Sequence, residues 1–254
     1  MVEIKTEAEL AMMREAGRVV AEALHAVKDA AAAGVSLLEL DEVAAEVIRA
    51  AGAKPSFLGY QPRSAPTPYP HVLCTSVNDV VVHGIPTAYR LRDGDLVSID
   101  CGAVLDGWNG DAALSFVVGT ADPADLALIE ATERALRAGI AAAQPGGKLG
   151  DISHAVGVAG RAQGHGMLAD HGGHGIGRAM HEDPHLPNEG RAGRGMRLKP
   201  GLVLAIEPML TRGGDAYRYA EDGWSILTVD GSRAAHVEHT VAITEDGPRV
   251  LTVR

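Results

Sequence analysis

Cysteine is nearly absent from this 254-residue chain. The two present, Cys74 and Cys101, are too few for a disulfide framework and lack zinc-ribbon spacing, which fits a reducing cytoplasm. Long apolar runs are missing too. No stretch reaches the roughly 18 residues that a membrane span requires, and the opening Met1-Val-Glu-Ile-Lys-Thr6 shows no basic segment followed by an apolar one, so neither a spanning helix nor a secretory signal is expected. Basic residues are outnumbered, 23 Lys and Arg against 33 Asp and Glu. A net charge of −10 argues against a nucleic-acid partner, because modules that bind phosphate backbones carry a basic stripe. The densest basic stretch, Arg191 to Lys199, lies among glycines and reads as a solvated loop. What is present is globular: with 46% hydrophobic and 22% charged residues, a chain of this length can bury a large core.

Helical punctuation comes first. Leu10, Met13, Gly17, Val20, Leu24 and Val27 recur at intervals of three and four, and Thr6 and Glu9 have capping-box spacing ahead of them. Ser36 and Glu39 repeat that signal before Leu40, Val43 and Val47, a stripe that stops near Gly52. A second helix pair is expected after Asp122-Pro123, an N-cap with Pro at N1. A slide of 112 residues aligns Gly34 with Gly146, Leu37 with Leu149, Leu40 with Ile152 and Gly52 with Gly164. The same order of events follows each pair: His83-Gly-Ile85 then the strand ending Ile99-Asp100, and His174-Gly-Ile176 then the strand ending Ile206-Glu207. Asp111 and Glu238, each leading into an apolar strand, make a third correspondence. The economical reading is a single domain over 1–254, built from two half-repeats of about 4–120 and 121–254 around one sheet.

Four acids at repeated positions carry the chemical argument. Asp106-Gly107 signals a tight hairpin, and a turn centred between Leu105 and Asp106 would set Asp100 opposite Asp111 with Cβ atoms about 5 Å apart. Facing carboxylates are costly unless they share a proton or bridge cations. Adding Glu207 and Glu238 gives four negative charges, which two divalent ions neutralise. His174, set in His-Gly-Gly-His-Gly-Ile-Gly, is the best nitrogen donor, whereas His171 reads as structural or solvent-facing. A mostly oxygen shell with one imidazole suits Mn²⁺, Fe²⁺, Co²⁺ or Zn²⁺. Residues 61–70 contain four prolines and read as a stiff surface loop, with a lip over a cleft as the sharper alternative.

With these residues assembled, the chain closely resembles type I methionine aminopeptidase from about residue 4 to its end. The matching motifs are Ser76-Val-Asn-Asp-Val-Val-Val-His83-Gly-Ile-Pro86, Ile99-Asp100, Gly110-Asp111, Gly173-His174-Gly-Ile-Gly-Arg-Ala-Met-His181-Glu182, Ile206-Glu207-Pro-Met209 and Glu238-His-Thr240. The resemblance implies the α+β pita-bread fold: two pseudo-symmetric halves, a curved antiparallel sheet and outer helices. It implies Asp100, Asp111, His174, Glu207 and Glu238 as ligands of two divalent ions, at which water is activated to attack the scissile carbonyl. Glu207 would also relay the proton. His181 would hydrogen-bond the scissile carbonyl or developing oxyanion, and His83 would contact the peptide near the cleaved bond. Tyr60, Tyr69, Cys74 and Trp224 would line a methionine pocket. Substrates would be N-terminal methionyl peptides and nascent chains with a small second residue. The family leans monomeric, and ribosome contact, if any, would use the catalytic domain. The chain departs from the short bacterial pattern in its longer Tyr60–Cys74 segment, which puts Tyr60's place in the pocket in question, and in carrying Met180 where an aromatic is expected. A proline-directed peptidase or a catalytically silent protein of the same fold are the competing readings.

Overall fold

The computed structural model describes residues 2–63 and 65–254. Among these residues four helices, α1 (Glu7–Ala30), α2 (Leu37–Ala50), α3 (Pro123–Ala142) and α4 (Leu149–Arg161), come in two pairs separated by strands. The strands of the first half are β1 (Lys54–Pro55), β2 (Leu73–Val77), β3 (Val80–Val82), β4 (Leu96–Leu105) and β5 (Trp108–Val117). Those of the second are β6 (Gly166–Met167), β7 (Gly172–Gly175), β8 (Glu182–Pro187), β9 (Val203–Ile206), β10 (Met209–Thr211), β11 (Tyr217–Tyr219), β12 (Ile226–Thr228), β13 (Ala234–His236), β14 (Glu238–Thr244) and β15 (Gly247–Val250).

The helix starts are where the side chains can satisfy them. The Thr6 and Ser36 hydroxyls accept from the backbone N–H of Glu9 and Glu39, and each glutamate reaches back 2.8 Å to the cap residue's own N–H. Asp122 caps α3 with Pro123 behind it, as expected. The apolar stripe on α1 is buried at every predicted position, and α1 packs against α2, β4 and β5. Each such Leu or Val removed from water contributes about 1.5–3 kcal/mol. Ser36→Ala is therefore expected to cost about 1–2 kcal/mol, read by urea unfolding, because it removes the hydroxyl that accepts from the Glu39 N–H and donates to the Glu39 carboxylate, while the bond from the backbone N–H of residue 36 to Glu39 remains.

A nine-stranded antiparallel sheet runs β1-β4-β5-β14-β9-β7-β8, with β2 also on β4 and β15 on β14. Its centre is a near-twofold. Strand β5 pairs with β14, β4 lies outside β5, and β9 lies outside β14. The hydrogen bonds repeat with the halves. Gly34 N–H donates to the Leu91 carbonyl and Gly146 N–H to that of Leu198, while Leu37 donates to Tyr89 and Leu149 to Met196. This is the pita-bread arrangement, with one large apolar cluster under each helix pair.

One expectation needs correction. The hairpin does turn at Asp106-Gly107, but these two are its central residues, with φ of 50° and 78°, and Leu105 pairs with Trp108. Asp100 then faces Ala113, and Asp111 faces Gly102. A primed two-residue turn needs positive φ at both central positions, which Asp-Gly supplies and Leu does not. The shift is two residues, so the face is preserved and the two aspartates are diagonal neighbours rather than partners.

Candidate active site

The four central strands each deliver one carboxylate. Asp100 lies on β4, Asp111 on β5, Glu238 opens β14, and Glu207 directly follows β9. Strand β5 is locked beside β14 at this level by Thr240, whose hydroxyl accepts from the Asp111 N–H at 3.0 Å and donates to the Asp111 carbonyl at 2.8 Å. All four acids are withdrawn from water: Asp111 and Glu238 are 3% and 2% exposed, Asp100 is 9% exposed, and the Glu207 side chain 11%. Burial raises all their pKa values, to about 7 for Asp100 and about 8 for Glu207. Asp111 is pushed well up by burial and then by Glu238 and Asp100, and Glu238 by burial and then by Glu207.

His174 joins them from β7, beside a bulge where the β7–β8 register shifts. Its Nδ1 lies 2.8 Å from the Gly175 carbonyl, which can only accept, so Nδ1 carries the proton and Nε2 offers a lone pair. That Nε2 stands 3.8 Å from Asp111 Oδ2 and 3.7 Å from Glu207 Oε1. Burial holds the ring neutral, at a pKa of about 3.

The donors fit divalent cations. Asp100 Oδ1, Asp111 Oδ1 and Glu238 Oε1 are buried with no hydrogen-bond partner, an arrangement that costs several kcal/mol unless a cation satisfies it. Single donor atoms of Asp111, His174 and Glu238 lie within 4.8 Å of one another, and so do those of Glu207, His236 and Glu238. Asp100 belongs to neither triad and flanks them from β4.

The metallopeptidase family M24 model matches residues 11–245. The chain belongs to metallopeptidase family M24. It is 56% identical over 256 residues to methionine aminopeptidase 1 of Mycobacterium tuberculosis, covering 98% of this chain and 94% of that one. The crystal structure of methionine aminopeptidase from Thermotoga maritima superposes with a TM-score of 0.95 at 40% identity, covering all of both chains. A prolidase from Pyrococcus furiosus shares the fold at TM-score 0.78 and 24% identity, but this chain covers only 65% of it.

In this M24 chain the acids and His174 floor a cavity of about 520 Å³, whose lining contains every residue expected from the sequence to bind metal or substrate. His83 takes a left-handed conformation, φ 59°, uncommon for a residue with a Cβ and typical of functional positions. Its imidazole is held neutral by burial, at about 3. His181 stands at the mouth, its ring 4.0 Å from that of His174 and stacked 5.1 Å from Tyr60. Tyr69 is buried against the edges of Phe57 and Trp224, its hydroxyl 2.9 Å from the Leu73 and Gly84 carbonyls. Cys74 faces this cavity, and Cys101, opposite Leu73 on β4, packs under the helices, so the sheet separates the two thiols.

The Pro-rich segment is closed off at its base. Tyr69 N–H donates to the Tyr60 carbonyl and Gly59 N–H to that of Tyr69, each at 2.8 Å, so the extra residues loop out and Tyr60 keeps its place in the wall. Pro62 lines the cavity, which supports the lip over the surface loop. His171, read as structural or solvent-facing, is half-buried, edge-on to Tyr217 at 4.8 Å, and lines the cavity as well. Phe57, His185 and His236 were not singled out. For His236 the available signal was the period-two spacing His236-x-Glu238, which puts both on one side of an extended segment.

Proposed function

We propose that this protein is a methionine aminopeptidase, a metal-dependent hydrolase that removes N-terminal methionine from nascent proteins and peptides whose second residue is small. The carrying observation is the end-to-end match to enzymes of that name, joined to buried carboxylate oxygens of Asp100, Asp111 and Glu238 that have no hydrogen-bond partner beneath an aromatic pocket.

Two divalent ions are proposed, held by Asp100, Asp111, His174, Glu207 and Glu238. When bound they supply Lewis acidity and water acidic enough to act as a nucleophile near neutral pH. The chain's own groups do the rest. Glu207, with its two oxygens turned toward different histidines, takes a proton from the attacking water and returns it to the leaving amine. His181, held by its stack on Tyr60, donates to the scissile carbonyl oxygen as charge develops there. His83 contacts the peptide beside the cleaved bond. Tyr60, Tyr69, Cys74 and Trp224, together with Phe57 and Met180, present ring edges and sulfur to the methionine thioether, contacts worth about 0.3–1.5 kcal/mol each. A reducing cytoplasm is the proposed compartment, in keeping with two free, buried thiols.

Purified protein supplied with Mn²⁺ or Co²⁺ is expected to release free methionine from Met-Ala-Ser and to leave Ala-Pro peptides intact, as followed by chromatography of the products. Turnover of Met-Phe peptides is expected to fall far below that of Met-Ala. The opposite preference would move the assignment to a proline-directed peptidase, and inactivity with every metal would leave a silent member of the fold.

A further inference from the structure

We propose that His236 is a metal ligand, a second imidazole that makes one of the two cation positions richer in nitrogen than the other acids alone would make it. The inference rests on the metal-binding reading above and adds a donor to it.

Among the described residues the ring Nε2 of His236 has no hydrogen-bond partner. His236 is 2% exposed, and its backbone is fixed without help from the ring: its N–H lies 3.2 Å and 3.1 Å from the Ser98 and Ser115 hydroxyls, and its carbonyl accepts from Ser115 at 2.7 Å. A structural histidine would be expected to satisfy that buried Nε2, since leaving a buried polar atom unpaired costs about 1–3 kcal/mol.

The nitrogen stands among the same acids as His174 Nε2, against the other oxygen of Glu207. His236 Nε2 stands 3.6 Å from Glu207 Oε2 and 3.8 Å from Glu238 Oε2. His174 Nε2 stands 3.7 Å from Glu207 Oε1 and 3.8 Å from Asp111 Oδ2. Both sets of separations exceed hydrogen-bond reach. They are close to the roughly 3.0–3.4 Å edge of a coordination shell whose donors lie about 2.1 Å from the ion. Glu207 thus turns one oxygen to each imidazole, and Glu238 belongs to both donor triads. A divalent ion with borderline affinity for nitrogen, Co²⁺ or Zn²⁺, gains more from the added imidazole than Mn²⁺ does.

The test is made on the full chain. In protein labelled with ¹⁵N at histidine and titrated with Zn²⁺, the Nε2 resonances of both His174 and His236 are expected to move to the metal-bound position, each assigned by its disappearance in His174→Gln or His236→Gln. Calorimetric titration with Zn²⁺ is expected to show one of two sites weakened at least about tenfold in His236→Gln. Movement of the His174 nitrogen alone overturns the proposal, including the case in which His236 merely hydrogen-bonds Glu207 and lowers affinity indirectly. Movement of neither nitrogen overturns the metal-binding reading as well. Should His236→Gln not fold, His236→Asn supplies the same assignment.

Discussion

Asp111→Asn is expected to lower turnover of Met-Ala-Ser by about a thousandfold or more while the circular dichroism spectrum stays that of the parent. The loss corresponds to several kcal/mol of transition-state stabilisation, the amount expected when a metal site loses its grip. The substitution keeps the size of the side chain, and the backbone at this position is held by Thr240 on both its N–H and its carbonyl, so the amide occupies the same space. What changes is charge. Three acids would remain to hold two ions, and the amide oxygen is a weaker donor than a carboxylate. The same change removes one of four mutually repelling buried acids, so the metal-free variant is expected to melt at or above the parent's temperature. A variant with full activity would remove Asp111 from the site. A variant with lost activity and a collapsed spectrum would make it a folding residue instead.

The helices, the hairpin and the repeated carboxylates were legible because each rests on local chemistry. Thr6 with Glu9 and Ser36 with Glu39 close reciprocal bonds within one turn, and no distant contact is needed to recognise them. The repeat was legible because both halves meet the same demand: an N–H at Gly34 and at Gly146 that finds a strand carbonyl at Leu91 and at Leu198. The exact register of β4 on β5 was missed by two residues because hydrophobic alternation fixes the face and leaves shifts of two undecided; only the turn's demand for positive φ distinguishes them. His236 was missed for a different reason. The spacing that relates Asp111 to Glu238 relates Asn109 to His236, and Asn109 spends its amide on the Gly177 and Arg178 carbonyls. Symmetry finds shared functions, so a donor on one side only falls outside it.

Gly173→Ala is expected to damage stability and the site together. Gly173 lies on β7 opposite Leu186 of β8, and a Cβ there would run into the Ala205 carbonyl of β9. The two strands approach this closely because the residue has no side chain, and they carry adjacent parts of the site: His174 follows on one, Ile206-Glu207 on the other. Overpacking of this kind costs about 1–3 kcal/mol. At a cost of about 2 kcal/mol the melting temperature of a chain this size falls by about 4–8 °C. Relief of the clash requires β7 to move off β9, which opens the 3.7 Å approach of His174 Nε2 to Glu207 Oε1 and weakens whatever the pair holds. Gly164→Ala is the control. Gly164 also lacks a side chain but has open space around it, so an alanine meets only the strain of φ 79°, about 1–2 kcal/mol, and activity at a temperature where the variant is folded is expected to match the parent's. Parental melting temperature and parental metal affinity in Gly173→Ala would show that the two strands can separate without cost, and that the glycine-rich setting of His174 has some purpose other than close approach.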